Sequence, residues 1–158
     1  TGCDALKLEG GSEISKTIKI LVRNNMPVMS HIGLQPQKIS SKKKYKVLGK
    51  SEGEVKKVIK DLISIEKAGS FSVVLESVTE KLANKINKIS KIPVIGIGAG
   101  AGVDGQVLVL HDMLGMTHEF NPRFLRRYLN LSDDITSAVQ NYVADVKSQD
   151  FPNEKEQY

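Results

Sequence analysis

The sequence predicts an α/β fold of repeated parallel βα units, with its chemistry-bearing residues gathered along one edge of the sheet. Three observations lead there. Four times a short strand-like run is followed by a helix-like or loop segment, which is the rhythm of parallel βα units. Two of the helix-like segments are preceded by a serine with a glutamate three residues later, the spacing of a capping box. Charged or titratable side chains recur at the ends of successive strand-like runs, the edge where parallel α/β folds bind ligands. Such units wind into an open doubly wound sheet or a closed barrel, and four of them are half of a (β/α)8 barrel.

The first strand is expected over about 4 to 8, within "DALKLEGG". After Gly10 and Gly11, Ser12 is the expected N-cap of a helix to about Asn24, with Ile14, Ile18, Leu21 and Val22 at helical spacing. Pro27 opens the second strand, "PVMSH". Residues 33 to 50 are expected to be a long loop, a length that in a compact domain is usually functional. Ser51 and Glu54 cap a helix to Ala68 whose Val55, Val58, Ile59, Leu62 and Ile65 form one stripe, and Gly69 stops it. "FSVVLE", 71 to 76, is the third strand. Ser77 and Glu80 repeat the capping spacing ahead of Leu82, Ile86 and Ile89, and "IPVIGIG", 92 to 98, is the fourth strand. The tail carries a short helix around Arg123 to Leu129 and a longer one from Ser132 to about Ser148, with Ile135, Val139, Tyr142, Val143 and Val146 on one side.

Composition narrows the classes. A chain of 158 residues, 40% hydrophobic, can bury one ordinary core. The one cysteine, Cys3, excludes an internal disulfide framework and is expected to be an inert buried thiol. No apolar run approaches the roughly 20 residues that span a bilayer, and no signal-peptide pattern appears, so a soluble, cytoplasmic protein is expected with no membrane partner. The net charge of +5 raises a nucleic-acid partner. Most lysines, however, fall on helix faces or in "SSKKKYK", 40 to 46, with a single aromatic and no recognised module; a solvated lysine-rich surface and no nucleic-acid partner are expected. The chain starts on Thr1, within a residue or two of a strand, which reads as the C-terminal part of something longer.

The strand-end residues form a pattern. Lys7 and Glu9 lie two apart, hence on one face of the first strand, at or just past its end. His31 ends the second strand and Glu76 the third. A buried ion pair is a weak stabilising device, because desolvation can exceed the attraction, so a lysine and a glutamate on one strand face favour chemistry. His31 is by itself either a satisfied core histidine or a site residue. Glu76 follows Phe71, Val73, Val74 and Leu75. It either charges the start of the next helix or serves as a general acid or base, a role that apolar surroundings favour in a carboxylate. Gly100, Gly102 and Gly105 match the G-x-G-x-x-G dinucleotide fingerprint, but the following "QVLVLHD" is not the start of an amphipathic helix. A tight turn approaching a neighbour or ligand accounts better for these glycines.

"DALKLEGG", "HIGLQPQ", "VLESV", "IPVIGIGAGAGVDGQVLVLHDMLG" and the closing "FP", in that order and spacing, resemble the ketopantoate hydroxymethyltransferase family. The resemblance implies a (β/α)8 TIM-type barrel of which this chain supplies roughly the C-terminal half, with 1–158 the C-terminal part of a single catalytic domain. It implies a homo-oligomer, usually a decamer, that moves a one-carbon unit from methylene-tetrahydrofolate to 3-methyl-2-oxobutanoate with Mg2+, giving 2-dehydropantoate for pantothenate and coenzyme A synthesis. By motif match Glu9 is the carboxylate at the magnesium site, Lys7 holds the keto acid, Glu76 is the general base and His31 lies near the substrate. The family also uses two aspartates and a serine on strands before the "KLEGG" strand. Those are outside this chain, so an incomplete metal site and inactivity of the chain alone are expected. Two departures stand out: Lys43, Lys44, Tyr45, Lys46 replace a Gly-Gly-Tyr-Lys stretch, and Thr79 stands where a proline is usual. The alternatives are another magnesium-dependent barrel acting on 2-oxo acids, whose cysteine-bearing loop motif is missing here, and an inactive truncated fragment that only binds partners.

Overall fold

The computed structural model describes residues 2–38 and 46–158. The chain divides into two compact units, Thr1–Val107 and Leu108–Tyr158. In the first unit, β1 (Leu6–Glu9) leads through a 3-10 turn (Ser12–Ile14) into α1 (Ser15–Arg23), and β2 (Val28–Gly33) into a second 3-10 turn (Pro36–Lys38). Then follow α2 (Glu52–Ala68), β3 (Ser72–Glu76), α3 (Glu80–Ile89), β4 (Val94–Ile97) and the two-residue β5 (Gly105–Gln106). The second unit has α4 (Leu110–Met113) and α5 (Leu131–Ser148).

The five strands pair in chain order, β1-β2-β3-β4-β5, and every pairing is parallel. A doubly wound sheet reverses its strand order at a switch point. The absence of a reversal here is the winding of a (β/α) barrel, so the sheet is an arc of one. One face of the arc packs on the helices. Val28, Ile32, Val73, Leu75 and Val94 meet Ile18 of α1, Val58, Leu62 and Ile65 of α2, and Leu82 and Ile86 of α3. Each such side chain, removed from water, contributes about 1.5–3 kcal/mol. By strand alternation the opposite face carries Lys7, Glu9, Met29, His31, Val74 and Glu76.

Local signals explain most boundaries. The Ser51 side chain accepts from Glu54 N while the Glu54 side chain accepts from Ser51 N, a complete capping box, and Gly69 ends α2 with φ 100° in the left-handed region. Glu54 also accepts from Gly49 N and Lys50 N at 3.0 and 2.9 Å, and Lys46 Nζ lies 2.5 Å from its other oxygen. The Lys46 hydrogen bond, followed by that from Lys50 N, holds the Glu54 carboxyl down at about 2. Lys46 is thereby tied to the start of α2; the rest of the lysine run, through Tyr45, lies outside the described residues.

Several expectations are corrected. Ser12 does not cap α1, whose N-cap is Ile14 without a side-chain bond; Ser12 is bonded to Asp61 instead. Ser77 does not cap α3. Its backbone sits at φ 50° and ties Leu48 to Ile97, while Thr79 caps by accepting from Leu82 N. Thr79 N also donates to Leu48 O at 2.9 Å, a bond a proline there would lack. Residues around Arg123 to Leu129 form a turn and irregular chain, not a helix. Arg127 donates there to the carbonyls of Thr117, His118 and Phe120. Cys3 is exposed, not buried. The glycine segment contributes β5, a strand the periodicity did not reveal. The fingerprint geometry is not formed, because the segment after Gly105 is strand and not helix. A Cβ on Gly102 would sit 1.9 Å from the Asn84 side-chain oxygen, so the segment runs against α3 as a close-approach turn. No helix among the described residues is long and apolar enough to cross a membrane.

Candidate active site

The register of the three leading strands decides which side chains meet. Glu9 stands beside His31, and His31 beside Val74, in one row across the sheet; Gly33 stands beside Glu76 one row nearer the strands' C-terminal ends. Lys7, beside Met29, lies one row further back. All four expected site residues thus share one face within three consecutive rows. The structure brings them into one contiguous chain of contacts.

Lys7 Nζ lies 3.0 Å from His31 Nδ1. An ammonium group only donates, so Nδ1 accepts and the ring proton of this tautomer sits on Nε2. Glu9 Oε1 is 3.8 Å from Lys7 Nζ and 3.5 Å from His31 Nδ1, both longer contacts than the lysine–histidine bond. Its Oε2 accepts from Gln37 N at 3.3 Å. On the other side of the ring, Glu76 Oε2 approaches His31 Nε2 to 3.0 Å. The approach is close but off the ring's N–H direction, so Nε2 is buried without a hydrogen bond in spite of it. His31 is 3% exposed and Glu76 7%, whereas the Lys7 side chain is 46% exposed. The site therefore has a dry end, Glu76 with His31, and a wet end at Lys7.

Such an arrangement can do three things. The dry carboxylate can take a proton from a weakly acidic carbon. The lysine and the Nε2–H can stabilise negative charge as it develops. The Glu9 carboxylate can give a hard oxygen to Mg2+, which is bound by one or two carboxylates together with waters and substrate oxygens. Among the described residues no three His, Cys, Asp or Glu side chains converge to hold a metal. A magnesium shell that included Glu9 would need further oxygens from elsewhere.

Sequence reasoning missed Asp61, Ser12 and Gln37 around this site. A signal for Asp61 was present: it sits between Val58, Leu62 and Ile65 on the buried stripe of α2, where an acid demands partners.

A barrel-type α/β sheet with a lysine, a histidine and two carboxylates on one face of consecutive strands, the carboxylates being the last residues of β1 and β3, defines the class, a barrel chain of enzymatic design; His31 does not end β2, which runs on to Gly33. The comparisons make it particular. The family model described as ketopantoate hydroxymethyltransferase matches residues 1–154. The chain is 56% identical over 158 residues to the 3-methyl-2-oxobutanoate hydroxymethyltransferase of Flavobacterium johnsoniae, and 54% and 51% identical to the proteins of that name from Parabacteroides distasonis and Porphyromonas gingivalis. Each alignment takes in 100% of this chain and 58% of the relative. The chain belongs to the ketopantoate hydroxymethyltransferase family and spans a little over half the length of these relatives.

Proposed function

We propose that this chain is the C-terminal part of one (β/α)8 catalytic domain that transfers a hydroxymethyl group from methylene-tetrahydrofolate to 3-methyl-2-oxobutanoate, giving 2-dehydropantoate for pantothenate synthesis. The convergence of Lys7, Glu9, His31 and Glu76 on one face of β1 to β3 carries this reading, and the family and its named relatives give the substrate.

In this reading Lys7 holds the 2-oxo acid at the wet end of the site through its carboxylate and carbonyl oxygens. Glu76, nearly dry and 3.0 Å from His31, removes the proton from C3 of the substrate. The electron pair left on C3 delocalises onto the carbonyl oxygen, where Lys7 and the His31 Nε2–H oppose the growing negative charge. C3 then attacks the one-carbon unit, forming the new carbon–carbon bond; both bonds from that carbon to the folate nitrogens break, water supplies the hydroxyl oxygen, and tetrahydrofolate leaves carrying one proton from water and the one taken from C3. Glu9, with ligands from outside this chain, would hold Mg2+, which as a Lewis acid favours the enolate of a chelated 2-oxo acid. The same reading makes the protein a cytoplasmic homo-oligomer, and this chain by itself inactive.

The test uses a full-length enzyme containing this chain. It should exchange the C3 proton of 3-methyl-2-oxobutanoate with deuterated water in the absence of folate. Glu76→Gln should abolish the exchange; exchange at the wild-type rate in that variant removes Glu76 as the base.

A further inference from the structure

We infer that Asp61, on α2, is a positioning residue for the turn that follows β1 and, through that turn, for the Glu9 carboxylate. The inference rests on the reading of Glu9 as a magnesium ligand.

Asp61 is 2% exposed. A carboxylate so placed costs several kcal/mol in desolvation unless its oxygens are satisfied, on the order of the penalty for any buried ion. Here they are. Oδ1 accepts from both the Ser12 backbone N–H and the Ser12 hydroxyl, each at 3.0 Å, and Oδ2 accepts from Lys57 Nζ at 2.6 Å. From the other side, Gly10 N donates to His31 O at 3.0 Å. The turn of Gly10, Gly11 and Ser12 is therefore clamped between β2 and α2. Gly11 lies so close that a Cβ on it would stand 2.2 Å from the Asp61 Cγ. No side chain larger than hydrogen fits between the turn and its anchor.

Glu9 immediately precedes this clamp. The direction in which the chain leaves β1 bears on the last residue of the strand, and the two bonds from Ser12 to Asp61 and the one from Gly10 to β2 anchor that direction, beside the turn's own bond from Gly11 N to the Glu13 carboxylate. A helix on the far side of the sheet thus helps to place the backbone from which the Glu9 carboxylate projects. If stability alone were at stake, an apolar side chain on the stripe of α2 would serve as well as a buried acid. What an apolar residue lacks is the paired acceptor that fixes the turn.

The experiment titrates magnesium chloride alone into a full-length enzyme containing this chain, by calorimetry, with thermal unfolding recorded in parallel. Asp61→Ala should weaken magnesium binding measurably but by less than Glu9→Ala, because Asp61 reaches the ligand only through the turn and not by a direct bond. Asp61→Asn should stay close to wild type, because its amide oxygen still accepts both Ser12 donors and Lys57, 63% exposed, can turn to water. A loss of stability alone would not separate the two variants by magnesium affinity. If Asp61→Ala does not fold, Ser12→Ala decides: it removes one of the two donors and should weaken magnesium binding by a smaller, measurable factor. Wild-type affinity in a folded Asp61→Ala or in Ser12→Ala overturns the inference. Glu9→Ala serves as the reference. If Glu9→Ala leaves affinity unchanged, the reading of Glu9 as a ligand falls, and this inference with it; if only the Asp61 and Ser12 variants leave it unchanged, the inference falls alone.

Discussion

Lys7→Met should separate chemistry from stability more cleanly than any other change in this site. The lysine side chain is 46% exposed and 3.8 Å from Glu9, so the pair resembles a surface ion pair worth about 0–1 kcal/mol. Its bond to His31 Nδ1 is lost, but the ring can shift its proton to Nδ1 and turn that donor on Glu9 Oε1, 3.5 Å away. The net cost to folding should therefore stay below about 1 kcal/mol, a melting shift of no more than about 4 °C in a protein of this size class. Catalysis should fare differently. Removing one group that stabilises developing negative charge costs roughly 10²–10³ in rate, about 2.7–4 kcal/mol of transition-state energy. The assay follows loss of the C3 proton signal of 3-methyl-2-oxobutanoate in deuterated water by proton NMR, on full-length enzyme, beside a thermal melt. Exchange at close to the wild-type rate refutes the role given to Lys7. A melting temperature that falls far beyond 4 °C refutes the claim that the residue is structurally dispensable.

Further outcomes follow from the same geometry. Glu9→Ala should lower magnesium affinity in a calorimetric titration. Thr79→Ala removes the cap of α3 and should cost about 1 kcal/mol, read as a lower denaturant midpoint with unchanged slope. Leu62→Ala, at a fully buried position between α2 and the sheet, should cost roughly 2–5 kcal/mol by the same measurement. The Glu54 carboxyl is held at about 2 in the folded chain against 4.5 for the ordinary group, so its contribution is complete above pH 4.5 and is lost as pH falls toward 2. The stability deficit of Glu54→Gln should accordingly be largest near neutrality and shrink in acid, as followed by denaturant melts across that range.

What could be read from the sequence was local. The strand runs, the Ser51–Glu54 box and the stop at Gly69 are each written within a few residues, and each is found in the structure. The gathering of Lys7, Glu9, His31 and Glu76 on one sheet face was legible because period-two alternation is local as well. What failed depended on distant partners. Ser12 and Ser77 have the right spacing for caps, but Ser12 is drawn to an acid 49 residues away and Ser77 bridges two other segments. β5 is only two residues long and exists because β4 offers it an edge. The apolar side of α5 was correctly placed on the helix, yet Ile135, Val139, Tyr142, Val143 and Val146 are all more than 40% exposed here, since periodicity says which side is apolar and not what covers it.

The same distinction bears on the two opposite charges of β1. Alternation alone puts Lys7 and Glu9 on one strand face, where they could serve as a structural pair or, as the weakness of buried ion pairs favours, in chemistry. The distances favour the second. The lysine's short bond goes across the sheet to His31, while its contact with Glu9 is longer by 0.8 Å and open to water at the lysine end. An ion pair with that exposure contributes little to folding. The bond to His31 makes Nδ1 the acceptor and leaves Nε2 beside Glu76 without a hydrogen bond to it, while Lys7 keeps only a long contact with the Glu9 carboxylate. A strand designed for stability would have closed the salt bridge. This one divides its charges, the lysine toward the histidine and one oxygen of the Glu9 carboxylate toward Gln37 N, a division that suits the proposed chemistry.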